Sequence, residues 1–151
     1  MEVFSESYLE EVIETQGQLF EYAEAHCPEI DTADFINTYM KSSTRAKIDE
    51  GQAYLCTMDA GSLFDYFLKY DGYIVKNGKT VGGFAANWIG QFYALFQWIY
   101  KIPSKEVVEL LPVRFMFEGY PGLHDLDLRT AVGKVGEQCG LKSSEGRKEE
   151  A

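Results

Sequence analysis

The sequence predicts a mainly α-helical fold: a single-domain bundle of about six or seven helices with one small β-hairpin. Three observations predict it. Apolar residues recur at helical spacing along most of the chain, and capping residues, Pro and Gly punctuate the runs. A lone Asn77-Gly78 step also sits between two short β-branched stretches. A length of 151 residues, 46% of them hydrophobic, suits one core. Trp 2, Tyr 10 and Phe 10 supply large side chains to fill it. The domain is expected to occupy residues 1–141, and the small, polar and charged stretch 142–151 is expected to be a flexible tail.

The first helix is predicted from about Ser5 to Ala25, because Phe4, Tyr8, Val12, Leu19 and Ala23 form an apolar stripe, and Pro28 stops it. Gly17 weakens its middle. Asp31 or Thr32 caps the next helix, whose inward residues are Phe35, Ile36, Tyr39 and Met40. Ser42-Ser43-Thr44 interrupts it, and a short polar helical turn through Ile48 ends near Gly51. Asp59 caps a helix with Leu63, Phe64, Phe67 and Leu68 inward and Gly72 past its end. Residues 73–76 and 79–81 flank Asn77-Gly78, a tight-turn pair, and this is the predicted hairpin.

Phe84 to Lys101 reads as a central helix, with Trp88, Ile89, Phe92, Phe96 and Ile99 apolar and Asn87, Gln91, Ala94 and Gln97 on a modestly polar face. Up to Tyr100 it belongs to an uncharged run that starts at Thr80 and is closed by Lys101. Polar residues and glycines interrupt that run, which favours a buried helix over a membrane span. Pro103-Ser104 starts a short helix, Pro112 opens another turn, and Tyr120-Pro121-Gly122 is read as a sharp break. A final helix begins near Asp127 and ends at Cys139-Gly140.

Charge is segregated. Residues 1–40 hold ten acidic side chains and no Lys or Arg, whereas the other 14 acids are matched by all 14 bases, so the net −10 belongs to the first quarter. Glu2, Glu6, Glu10 and Glu14 recur every four residues and stack on one helical face. Their mutual repulsion makes this face either a solvated surface or a surface for a basic partner.

Catalytic and metal chemistry find little support. His124 and Asp125, with Asp127 close by and Tyr120 before them, form the densest polar cluster, in which the imidazole would be a base; helix capping explains them more simply. His26, Cys27, Cys56, His124 and Cys139 lack the paired spacing of a zinc site. Gly82-Gly83 lacks the Lys-Ser/Thr of a phosphate loop, and no basic patch suits nucleic acid. No cofactor and no metal are therefore expected. The acidic start, Met1 to Glu6, is unlike a secretory signal, and three scattered cysteines suit a reducing, cytoplasmic setting.

Four stretches taken together, Phe35–Ser42, Trp88–Tyr93, Pro103–Glu106 and Tyr120–His124, resemble a group of small, mostly unannotated acidic proteins of Gram-positive gut bacteria. Members of that group look like neighbours of ADP-ribosyltransferase-like toxin genes. The resemblance spans roughly residues 35 to 136 and implies a neutralising or accessory part in a toxin–antitoxin-type module. It brings no catalytic residues, and the first 34 residues lie outside it.

The expected function is thus a non-enzymatic protein-binding domain, antitoxin-like or accessory, that meets a basic protein surface. It binds neither nucleic acid directly nor a membrane, and a homodimer is allowed. The expected contact residues are Glu2, Glu6, Glu10, Glu14, Tyr120, His124 and Asp125. Two alternatives stand beside it: an acidic nucleic-acid mimic that inhibits a defence nuclease, of the kind phages carry, and a small enzyme using His124 for a reaction that the sequence does not specify.

Overall fold

The computed structural model describes residues 3–142, so Glu2 and residues 143–151 of the expected tail lie outside the described residues. Ser5 starts the helical part. Its hydroxyl accepts the Ser7 N–H at 3.3 Å and its carbonyl accepts the Tyr8 N–H at 2.9 Å, so Glu6–Tyr8 winds as a tight 3-10 turn. The chain then continues as α1 (Leu9–His26), which ends just before Pro28. The first acidic helix therefore begins later than its apolar stripe suggests.

Asp31 caps α2 (Thr32–Met40) by accepting the Asp34 N–H at 3.1 Å, and Phe35, Ile36, Tyr39 and Met40 are its buried side. Two groups hold the start of α3 (Ser43–Asp49). Ser42 accepts the Arg45 N–H, and the Asp71 carboxylate accepts the N–H and hydroxyl of both Ser43 and Thr44. Burial disfavours the Asp71 charge, but the bonds from Thr44 and Ser43 outweigh it and hold this carboxyl below its ordinary range. A single turn, α4 (Ala53–Cys56), leads to α5 (Ala60–Tyr70), which Asp59 caps through the Ser62 N–H at 2.9 Å. The rest of the fold is α6 (Ala85–Tyr100), α7 (Ser104–Leu110), α8 (Val113–Leu123) and α9 (Leu128–Gln138).

Nine α-helices are present among the described residues, more than the six or seven expected. The one-turn α4 had no sequence signal strong enough to read. Residues 113–123 run as one helix through Pro121, where a break was expected. Pro121 lies in the last turn of α8, so its missing N–H removes one bond close to a free end.

The hairpin is not formed, and no strand occurs among the described residues. Residues 73–83 bond to α1, to α2 and to the link between these helices rather than to themselves. Asp31 and Thr32 donate their N–H groups to the carbonyls of Lys76 and Lys79, Gly78 donates to Glu29, and one isolated antiparallel bridge joins Ile30 to Asn77. Positive φ falls at Gly72, Gly82 and Gly83, not at Asn77-Gly78, so the tight turn is absent. Glu24 of α1 fixes the far end of this strap, its carboxylate accepting the Val81 N–H at 2.6 Å, the Gly82 N–H and the Thr32 hydroxyl. Tyr73 holds the near end by donating to Asp34 at 2.7 Å.

The core is built around α6, whose most extensive contact is with α1. Its uncharged sequence reflects burial on nearly every side, and no helix among the described residues is long and apolar enough to cross a membrane. The two helices approach so closely at Gly17 and Gly90 that side chains are excluded. A Cβ on Gly90 would lie 2.6 Å from the Gln16 carbonyl oxygen, and one on Gly17 would lie 2.8 Å from that of Asn87. Gly90→Ala is expected to destabilise the fold by about 1–3 kcal/mol through overpacking. Urea unfolding measures this, and an unchanged midpoint would show that the helices can separate at no cost.

Beside this crossing lies a buried charge network. Arg45 is fully buried. Its Nε donates to Gln16 at 2.8 Å, Nη1 to Asp49 at 2.5 Å and Nη2 to Gln97 at 2.6 Å. Gln97 donates to the same Asp49 oxygen, the Ser104 N–H donates to the other at 3.0 Å, and Gln16 donates to the Gly90 carbonyl. Elements α1, α3, α6 and α7 are therefore tied through two charges and two amides. Among the described residues no buried side-chain nitrogen or oxygen lacks a partner, so the network is complete as it stands.

Candidate functional site

Glu6, Glu10 and Glu14 are all exposed, as their spacing implies. Glu14 accepts a hydrogen bond from Gln18, one turn further along α1. The first two do more than face solvent, because the start of α9 runs past them and a cleft of about 430 Å³ opens between the elements. Its apolar part comes from Leu9 and Ile13 of α1, Leu95 of α6 and Leu128 of α9. Glu6, Glu10 and Asp127 line it with carboxylates, and Arg129 places a cation among them. Asp127 sits at the N-cap position of α9, but its carboxylate makes no capping bond with that helix.

The other expected contact residues lie outside this cleft. Tyr120 and His124 stack at 4.5 Å between ring centroids, and the His124 Nδ1 is 2.9 Å from the Tyr120 carbonyl oxygen. Tyr120 also meets Trp88 edge to face at 5.5 Å. Nε2 of His124 is 3.3 Å from the carboxylate of its exposed neighbour Asp125, an ion pair whenever the ring is protonated. His124 is thus oriented by its own helix end. The structure brings Glu6 and Glu10 to Asp127, which belongs to the same short run as His124 and Asp125. It does not bring Glu14, Tyr120, His124 or Asp125 into the cleft, and Glu2 lies outside the described residues.

No hydroxyl or thiol nucleophile hydrogen-bonds to His124 among the described residues, its partners being the Tyr120 carbonyl and Asp125. Cys56 is buried, which raises its thiol above the ordinary range and weakens it as a nucleophile, and it points to the Ile48 carbonyl. Cys27, Cys56 and Cys139 are all free thiols. Among the described residues no three His, Cys, Asp or Glu side chains are grouped to hold a metal ion.

Two features escaped the sequence. Arg45 falls in the stretch expected as a short polar helical turn; its spacing of four from Asp49 announces an ion pair but not its burial. Leu95 and Leu128 carry no sequence signal as the floor of a cleft, and only the packing of α9 on α6, beside a gap to α1, makes them one. Compared with known protein families, curated proteins and solved structures, the chain matches none.

Proposed function

We propose that this protein is a non-enzymatic protein-binding domain that receives a basic surface of a partner on the acidic face of α1 and in the adjoining α1–α9 cleft. The observation that carries this reading is the composition of the cleft, an apolar floor edged by the three carboxylates of Glu6, Glu10 and Asp127 against the one cation of Arg129. Such a site suits a Lys or Arg side chain, whose methylene stem lies on the leucines while its charged head meets carboxylates. The apolar floor also favours a protein partner over the nucleic-acid-mimic reading, because a mimic needs only the charges. The antitoxin-like or accessory role implied by the family resemblance is one form of this reading, with the toxin as the basic partner.

The test is the double variant Glu6→Gln/Glu10→Gln, with a fluorescently labelled amphipathic peptide rich in Lys and Arg as the probe. Thermal stability should stay equal or rise slightly, because like charges four residues apart repel by roughly 0.2–0.5 kcal/mol. Association with the peptide should slow at low salt, and the gap from the wild type should close as screening shortens to about 8 Å at physiological ionic strength. Equal association rates at low salt would leave these glutamates as a solvated face only.

A further inference from the structure

Within the strap of residues 73–83 no backbone group bonds to another. Its side chains are exposed or half-buried at every position, Ile74 being 80% exposed, and only Tyr73, Val75 and Val81 pack on the core. Five backbone N–H groups hold it down. Those of Asp31 and Thr32 donate to the carbonyls of Lys76 and Lys79, that of Gly78 donates to Glu29, and those of Val81 and Gly82 donate to the Glu24 carboxylate. A segment with few buried apolar contacts, held by backbone bonds near the surface, belongs to the part of a fold that opens locally.

The two ends are built to swivel. Gly72, Gly82 and Gly83 take positive φ of 65°, 73° and 58°, and a Cβ at any of them would meet nothing within 4 Å. One carboxylate closes each end. Asp34 of α2 accepts the Tyr73 hydroxyl and lies 3.5 Å from the Lys76 ammonium, and Glu24 of α1 takes the Val81 and Gly82 N–H groups. The middle is shaped for close contact instead. A Cβ on Gly78 would lie 2.6 Å from the Asp31 Cβ, so the Asn77-Gly78 step, which makes no turn, lets the strap lie flat.

We infer that the strap opens and closes as one unit between Gly72 and Gly82-Gly83 while the helical core stays folded. The core does not need it, because Phe35 beneath the strap also packs against Phe20, Phe64 and Phe67 of other helices. Opening frees the N–H groups of Asp31 and Thr32 and the Glu29 carbonyl. It also lifts the Tyr73 ring from Phe35 and Phe67, whose centroids lie 5.7 Å and 5.1 Å from its own. The strap is thus a gate over a backbone edge and two aromatic rings that are hidden while it is closed. None of its residues lines the α1–α9 cleft, so the gate and the binding role stand or fall separately.

The experiment is amide hydrogen exchange of the full chain, read residue by residue by nuclear magnetic resonance under native conditions. The amides of Asp31, Thr32, Gly78, Val81 and Gly82 should share one opening constant, about tenfold or more above that of the α6 amides. Gly78→Ala, which props the strap off Asp31, should strip protection from all five and leave α6 unchanged. Tyr73→Phe removes only the hydroxyl bond to Asp34, yet it should speed Val81 and Gly82 at the opposite end by about tenfold, as much as Gly78. Exchange of the five at the α6 rate would overturn the inference, since the strap would then open only with the whole fold. So would loss of α6 protection in Gly78→Ala. Unrelated rates among the five, or a Tyr73→Phe effect confined to the near end, would show independent fraying and no gate.

Discussion

Asp49→Ala is expected to cost about 3–5 kcal/mol of folding stability, the loss that follows when one partner of a buried ion pair is removed. Arg45 is fully buried and Asp49 is 5% exposed, so water does not replace the missing carboxylate. The substitution strands three groups together: the Arg45 Nη1, the Gln97 amide and the Ser104 N–H, each of which donates to Asp49. Gln16 and Gln97 still accept from the guanidinium, but amide oxygens do not neutralise it. Urea unfolding followed by far-ultraviolet circular dichroism measures the change. The informative comparison is Arg45→Met/Asp49→Leu, which removes both charges and keeps much of the volume. If the double variant is as stable as the wild type, the network contributes uniqueness of packing rather than net stability. A loss under about 1 kcal/mol for Asp49→Ala itself would mean that water reaches the site.

The second large effect is expected at Trp88. Its indole is 5% exposed, with its ring centroid 5.1 Å from that of Phe92 and edge to face with Tyr120. Trp88→Ala removes an aromatic that joins α6 to α8 and leaves a cavity between them, at a cost of about 3–5 kcal/mol. Trp88→Phe keeps a ring in the space and should cost markedly less. A small loss for the alanine variant, again under about 1 kcal/mol, would show that α8 closes over the gap. Tyr120 and His124 would then lose their fixed orientation less than the stacking geometry suggests.

Helices were legible wherever caps and apolar periodicity agreed. Asp31 and Asp59 mark the starts of α2 and α5, and the inward side of α2 follows the apolar spacing, whereas the modestly polar face expected of α6 is largely buried, with Asn87, Ala94 and Gln97 covered. Failures arose where a local preference lost to a distant partner. Asn77-Gly78 favours a tight turn, yet the backbone around it found acceptors and donors in the α1–α2 connection and a carboxylate in Glu24, which no local pattern announces. Pro121 reads as a stop but falls where the helix is about to end, so little is lost by continuing.

The candidate site was legible in halves. The exposed glutamates were visible as a period of four, but the cleft needs α9 docked on α6 across a gap from α1, and that placement depends on long-range packing. Gly17 was read as a weak point in α1. It is instead half of a close α1–α6 approach, a role that appears only once Gly90 is seen opposite.

That approach also bears on how far this sequence can diverge. Position 90 faces only backbone, and position 17 faces the Asn87 carbonyl as well as the Asn87 and Gln91 side chains, so a larger residue at position 90 in particular needs α1 and α6 to move apart. If they moved apart, Gln16 would lose the Gly90 carbonyl, and the Arg45 guanidinium would lose the amide held by that bond. Drift at one glycine would thus have to be accompanied by replacement of Gln16, Arg45, Asp49 and Gln97 as a set. A remote relative that keeps this fold would therefore retain two small residues on facing helices and an Arg-Asp pair four residues apart between them, long after the exposed acids had changed beyond recognition.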